Sequence, residues 1–487
     1  MVLDADAAYL ALRTRDARFD GRLFVGVTST GVYCRPVCRV RVPKRENCRF
    51  FDSRAQAEAA AFRPCMKCRP EIAPGLSHTD SSRTLADTAA RLVEHAVHSG
   101  QAIALPALAS RLGVTDRHLR RIFQAVHGVA PLDYITTQRL LLAKQLLTDT
   151  AQPITQVALA SGFGSLRRFH AAFAERYRFN PTQLRRAGAL QPAAAPESQP
   201  LRLAYRPPYD IDAVLGHFAR RDVRGVEEVD LARLTLRRTV SIANQGAAVA
   251  GWLEARFVPD RHELHLRTSA SLAPLLGAVM HRVRQGLDLD ADPAQIDPVM
   301  SRLPVPARPG ARLPAGLDGF DIALRVILGQ QVTVKAARTL VQRVVDRYGE
   351  PLATPFPALT HVFPSAEVIA TADPETIGRL GIVRQRVRAL QALAAAVASG
   401  AIELHRGAPL AATLDALRAL PGIGDWTAQV IAMRALAWPD AWPASDIGLM
   451  KALGSRDAKV ITAQAEAWRP WRAYAVMQLW HHLETST

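Results

Sequence analysis

Residues Leu417–Leu436 read LRALPGIGDWTAQVIAMRAL. Two apolar stretches at helical spacing flank Leu420-Pro421-Gly422-Ile423-Gly424. Gly422 and Gly424 let the backbone turn tightly and leave N–H groups bare where the next helix begins. A helix start of that kind can hold a nucleic-acid phosphate without side-chain charge. The stretch predicts a helix–hairpin–helix, with Gly422 and Gly424 at a DNA contact. A hairpin that merely packs two helices together would satisfy the same pattern.

The chain around it suits a polyanionic partner. It has 487 residues, with 61 Lys and Arg against 44 Asp and Glu, a net charge of +17. Most of that excess lies in residues 1–190. Such a balance points to nucleic acid, although a solvated basic surface gives the same count. The length predicts about three domains. A composition of 49% hydrophobic and 22% charged residues excludes disorder throughout. No apolar run is long enough to predict a membrane span. The N-terminal MVLDADAAYLALRTRD lacks a basic segment followed by an apolar core, so a cytoplasmic location is expected.

Composition also divides the chain. AGALQPAAAPESQP (Ala187–Pro200) reads as a linker. Weaker breaks are expected at Ala73–Ser82 and at a Pro-rich joint, Pro304–Pro314. Between the first two, the pattern predicts helices. Leu105–Leu112 ends at Gly113, and Thr115 or Asp116 caps Arg117–Val126. The arrangement then repeats: Ile154–Ala160, a turn at Ser161-Gly162-Phe163-Gly164, and a helix capped by Ser165. Two such units predict paired helix-turn-helix modules. Leu231–Ile242 and Gly251–Arg267 alternate like antiparallel strands, and helix returns at Phe320–Leu328 and Val334–Tyr348.

All five cysteines, Cys34, Cys38, Cys48, Cys65 and Cys68, fall in the first 68 residues. An odd number without a secretory signal argues for metal or reactive thiols over disulfides. Cys34-x3-Cys38 and Cys65-x2-Cys68 offer the two close pairs that a tetrahedral Zn2+ site takes. By spacing alone this is a structural zinc knuckle or something more. Cys48 stands outside the pattern and reads as a small buried hydrophobe.

Three resemblances sharpen these readings. TGVYCRPVCRVRVPKRENCRF (Thr30–Phe50) and FRPCMKCRPE (Phe62–Glu71) resemble the N-terminal zinc domain of the Ada-type DNA alkylation-repair proteins. The resemblance implies one Zn2+ held by Cys34, Cys38, Cys65 and Cys68. It makes Cys34 the acceptor of a methyl group from a DNA methyl phosphotriester. A zinc-bound thiolate stays ionised and nucleophilic at neutral pH. Methylating one of four thiolates removes a negative charge, which should strengthen DNA binding and turn repair into a switch. ALASGFGSLRRFHAAFAERYRFNPTQLR (Ala158–Arg185) resembles the second helix-turn-helix of AraC-type transcription activators. It implies promoter DNA and RNA polymerase as partners. Arg117, Arg120, Arg121, Arg167, Arg168 and His170 become candidates for phosphate or base contact, and Phe169 and Phe173 for core. The Pro-Cys-His-Arg motif of the classical O6-methylguanine methyltransferase has no counterpart, since no cysteine follows Cys68.

Third, the opening stretch resembles the AlkA-type 3-methyladenine DNA glycosylases. LAYRPPYDIDAVLGHFARR (Leu203–Arg221), RLPAGLDGFDIALRVILGQQVTVKAARTL (Arg312–Leu340) and EAWRPWRAYAVMQLW (Glu466–Trp480) extend that resemblance. It implies Asp446 as the catalytic carboxylate, Trp426 and Trp480 as aromatic walls of a base pocket, and Gln330 and Gln331 in the loop that fills the gap left by a flipped nucleotide. The family's hydrophobic wedge falls on polar Gln331, its pocket Tyr on Val430 and a pocket Phe near His217. Cationic alkylpurines stack well on aromatic faces and leave readily, so a carboxylate beside the sugar supplies most of what the reaction needs. The Lys of strand-cutting relatives is replaced by Trp426, which predicts a monofunctional glycosylase.

The expected architecture is multidomain α+β. It comprises a small zinc domain (1–76), an all-α paired helix-turn-helix domain (83–186), a linker (187–200), an α+β subdomain (201–310) and a helical helix–hairpin–helix glycosylase domain (311–487). The expected function is excision of alkylated bases joined to methylation-responsive transcription control, on bacterial nucleoid DNA. The rivals are a regulator with an inert glycosylase-like domain, and a glycosylase that its N-terminal part merely tethers to DNA.

Overall fold

The computed structural model describes residues 5–485 apart from 17–18, 21–22, 52–53, 69, 71–77, 101–102, 151, 189–199 and 245–246. The architecture is multidomain α+β.

Near the N-terminus, helix Ala5–Thr14 buries Ala8, Ala11 and Leu12 with Leu23, Val25 and Cys48. Strands β1 (Phe24–Val27), β2 (Val32–Cys34), β3 (Cys48–Phe51) and β4 (Arg63–Pro64) form a sheet in the order β3-β1-β2-β4. β2 and β4 run parallel, with Tyr33 opposite Pro64. The next rung therefore brings Cys34 beside Cys65, whose N–H donates to the Tyr33 carbonyl at 3.0 Å.

Two helix-turn-helix units follow the expected repeat. Helices Leu105–Arg111 and Asp116–His127 form the first, with Thr115 Oγ1 accepting from the His118 N–H at 3.2 Å. Helices Ile154–Ala160 and Leu166–Tyr177 form the second, capped by Ser165. Its turn needs Gly162, at φ +83°. Phe169 and Phe173 are fully buried with rings 5.5 Å apart, so they are core. Helix His78–His98 begins inside the break expected at Ala73–Ser82; residues 71–77 lie outside the described residues. Of the expected linker, Ala187 and Gly188 close helix Pro181–Gly188, and 189–199 lie outside the described residues.

Past Pro200, strands β5 (Leu201–Ala204), β6 (Glu227–Asp230), β7 (Thr235–Asn244), β8 (Ala247–Val258) and β9 (Glu263–Thr268) make an antiparallel sheet ordered β5-β9-β8-β7-β6. The alternating run expected over Gly251–Arg267 is two strands, broken by a turn at Pro259–Arg261. Pro304–Pro314, the expected Pro-rich joint, is packed against the fold. Ala311 and Leu313 are buried there, and the buried Arg312 guanidinium donates to the carbonyls of Arg206 (2.6 Å) and Pro208 (2.9 Å).

Helix Asp425–Arg434 lies between two apolar cores. Ala428, Ile431 and Ala432 join one, while Val430 and Met433 join the other. Helix Gly319–Leu328 starts where Gly319 meets the chain at Leu404, leaving an added Cβ only 1.9 Å from that carbonyl oxygen. Gly319→Ala therefore forces two backbones apart. It should cost about 2–3 kcal/mol and lower Tm by several degrees in calorimetry of the full chain. An unchanged Tm would contradict this packing.

Candidate functional site

Four thiols converge at the end of β2 and β4. The Sγ atoms of Cys34, Cys38, Cys65 and Cys68 all lie within 4.8 Å of one another and all four residues are buried. Thiolates about 2.3 Å from a tetrahedral Zn2+ stand about 3.8 Å apart, so the cluster fits one ion. The turn from Cys34 to Cys38 is fixed by the Cys38 N–H donating to the Arg35 carbonyl at 3.1 Å. Arg35, 1% exposed, pairs through Nε with Asp20 Oδ1 at 2.6 Å. Hydrogen bonding to Cys38 and Cys68, together with burial, pushes the Cys34 thiol far up, whereas hydrogen bonding to Cys34 and Cys68 pulls Cys38 down to about 2. Four ionised thiols this close need a divalent cation among them. Cys48 is elsewhere, its thiol donating to the Lys44 carbonyl at 3.3 Å in the aliphatic cluster.

A second centre forms around Asp446. The residue caps helix Ile447–Ala452, with Oδ1 accepting from the Leu449 N–H at 2.9 Å. Trp480 Nε1 donates to the same oxygen at 3.0 Å, and Trp426 Nε1 donates to Oδ2 at 2.9 Å. Asp446 is 8% exposed and lines a cleft of about 430 Å³ with Trp426, Trp480, Val430 and His217. That volume suits a base-sized ligand. Gly448 packs closely beside the carboxylate: a Cβ there would stand 3.0 Å from Asp446 Oδ1 and 3.3 Å from the Trp480 ring, so either would have to give slightly. The glycosylase resemblance implied both tryptophans as walls of a base pocket, and both line the cleft. Their N–H bonds to Asp446 carry no sequence signal, since Trp426 and Trp480 lie 20 and 34 residues from it.

The expected hairpin joins helices Leu410–Ala419 and Asp425–Arg434. Gly422 has φ +76°, Ile423 plugs the core, and Gly422 and Gly424 are exposed. No side chain caps the helix that begins after Gly424, so its first N–H groups face outward for an anion. Gln330 does not reach the cleft lining. Its amide donates to the Gly422 carbonyl (3.0 Å) and Thr427 Oγ1 (2.9 Å), tying its loop to the hairpin. Gln331 next to it is exposed at φ +53°. Sequence reasoning missed Ile447, 78% exposed beside Asp446, and the buried Arg434 in the cleft wall.

On the helix-turn-helix units, Arg117, Arg120, Arg121, Arg167 and Arg168 are exposed and His170 is half-buried. Arg120 pairs with Asp116 at 3.0 Å and Arg121 contacts His118 at 2.9 Å, which pre-orients both guanidinium groups along helix Asp116–His127. Among the described residues, no helix is long and apolar enough to cross a membrane.

Comparison with known proteins accounts for each part. Family models match as the metal binding domain of Ada (residues 7–71), a helix-turn-helix domain (108–187), the AlkA N-terminal domain (200–318) and the HhH-GPD superfamily base excision DNA repair protein (324–472). The chain is 39% identical, over 99% of its length and 97% of the relative's, to a Mycobacterium tuberculosis protein named "Probable bifunctional transcriptional activator/DNA repair enzyme AlkA". It is 34% identical over 57% of its length to DNA-3-methyladenine glycosylase 2 of Escherichia coli, covering 96% of that protein. The bifunctional transcriptional activator/DNA repair enzyme Ada of Escherichia coli is 31% identical over 38% of this chain and 50% of its own. Carrying an Ada metal-binding domain, a helix-turn-helix domain and an HhH-GPD glycosylase domain in one polypeptide, the chain belongs to the family of bifunctional transcriptional activator/DNA repair enzymes.

Proposed function

We propose that the chain excises alkylated purines through Asp446 and repairs DNA methyl phosphotriesters through Cys34, the second reaction controlling transcription. The observation that carries the first role is the Asp446 carboxylate, gripped by three N–H donors at the wall of a base-sized cleft. A damaged base must leave the stack before its bond to the sugar can be reached. Bare N–H groups at the hairpin bind a phosphate of the strand, and exposed Gln331 enters the space the base vacates. Trp426 and Trp480 hold the carboxylate as an acceptor facing the sugar. As the C1′–N bond lengthens, Asp446 stabilises the growing positive charge on the ring, and water completes the substitution. Among the described residues, no lysine lines the cleft, in keeping with a monofunctional reaction.

The second role rests on the four-thiol cluster. A bound Zn2+ keeps its thiolates ionised and nucleophilic. Cys34 Sγ attacks the methyl carbon of the phosphotriester; the S–C bond forms as the C–O bond breaks, and an ordinary phosphodiester leaves. The cluster then carries one negative charge less, and attraction to phosphate rises. With Arg117, Arg120, Arg121, Arg167 and Arg168 on promoter DNA, the methylated protein recruits RNA polymerase in the cytoplasm.

Asp446→Asn should reduce 3-methyladenine release from methylated duplex DNA by about a hundredfold or more while DNA affinity persists. Unchanged release would remove Asp446 from the reaction. Trp426→Phe loses one of the two indole donors and should slow release about tenfold at unchanged DNA affinity; full activity would show the bond to be incidental. Cys34→Ser should end transfer of labelled methyl from a phosphotriester oligonucleotide to the protein. Continued labelling would move the acceptor to another cysteine. Chelation should release one zinc per chain and abolish that labelling but leave base release intact; loss of both together would contradict two separate centres.

A further inference from the structure

The wall of the base cleft holds one charge that its neighbours do not balance. Trp426, Val430 and Arg434 stand four residues apart on helix Asp425–Arg434, and all three line the cleft. Trp426 bonds the Asp446 carboxylate at one end of this stripe. Arg434 lies two turns on, about 12 Å along the axis, and helical side chains lean back toward the N-terminus. Arg434 therefore lines the cleft at the other end of the stripe from the Trp426–Asp446 bond.

The other buried arginines of the cleft are paired. Arg238 and Arg325 share Glu227 and Asp321, and Arg221 meets Glu484. Arg434 is 8% exposed and donates through Nε to the Pro314 carbonyl at 2.8 Å. Among the described residues, its two terminal amino groups meet no acceptor and no carboxylate. Burial and the like charges of Arg221 and Arg325 pull it down to about 9, which leaves it charged at neutral pH. Helix Ile211–Ala219 adds His217 to the cleft lining, 3% exposed, with Nε2 buried and unpartnered. Burial, with Arg221 and Arg434 nearby, holds this imidazole well below its ordinary value and so neutral. The terminal amino groups of Arg434 and the Nε2 of His217, on residues each more than nine-tenths buried, thus lack partners among the described residues at a base-sized space. An unfilled buried donor is costly, so a ligand that supplies the acceptor is favoured.

We propose that Arg434 and His217 read the purine edge farthest from the sugar and select alkylated guanines over alkylated adenines. At that edge a guanine offers the O6 acceptor to the guanidinium N–H. An adenine offers a 6-amino group, whose hydrogens confront those N–H groups and leave both unpaired. This inference deepens the glycosylase reading and rests on it.

The test is release of 7-methylguanine and 3-methyladenine from one sample of dimethyl-sulfate-treated duplex DNA, each divided by its uncatalysed rate. The full-length protein should enhance 7-methylguanine release more. Arg434→Met should lower the ratio of the two enhancements about tenfold. His217→Phe, which keeps a ring of similar size and loses the polar nitrogen, should lower it severalfold. Partial unfolding depresses both releases together and leaves their ratio alone. His217→Phe decides the matter if Arg434→Met does not fold. Ratios unmoved in both variants, with both bases still released, would overturn this inference alone. Release of neither base by the unaltered protein would overturn the glycosylase reading beneath it.

Discussion

Three N–H groups converge on one carboxylate. The Leu449 N–H and two indoles, from Trp426 and Trp480, hold both oxygens of Asp446. The donors come from three helices, Ile447–Ala452, Asp425–Arg434 and Arg472–Thr485, so the group is aligned only when all three are packed. Helix Asp425–Arg434 does most to secure this. It is fixed between two apolar cores, its free N-terminus forms the hairpin, and its cleft-facing stripe supplies Trp426 and Arg434. In the proposed function, a phosphate bound at one end of such a helix would set the distance from the strand to the carboxylate. Gln330 extends the linkage by fastening the Gln331 loop to the hairpin.

The thiol cluster obeys a different constraint. Parallel pairing of β2 with β4 brings Cys34 and Cys65 to adjacent rungs, and a short turn returns Cys38 to the same side. The buried Arg35–Asp20 pair fixes that turn. Breaking one partner of such a pair is costly, which keeps the ligands in place. Each centre has its own local scaffold and its own chemistry.

The cysteine quartet was legible because ligand spacing is local: two pairs, each within one turn, with Cys48 left to the core. Helix starts at Thr115 and Ser165 were legible for the same reason, a cap being a short-range hydrogen bond. The position of Asp446 was legible only through resemblance, since a lone Asp before a helix is ordinarily a cap, and here it is a cap as well. What grips it was not legible, because Trp426 and Trp480 reach it across folded helices. Arg434 escaped notice inside an apolar helix, where its burial is decided by two cores that no local pattern reports. The composition of Pro304–Pro314 gave no sign of its packing, which depends on Arg312 reaching the distant Arg206 and Pro208 carbonyls. Local signals named the parts, and the long-range hydrogen bonds assembled them.

The most direct measurement is a crystal structure of the protein on duplex DNA carrying a pyrrolidine abasic-site analogue, whose ring ammonium mimics the charged sugar. The account predicts an Asp446 oxygen about 3 Å from that nitrogen, with both indole N–H bonds to the carboxylate retained. A ring nitrogen lodged away from Asp446, or a carboxylate released from both tryptophans and turned to solvent, would contradict it.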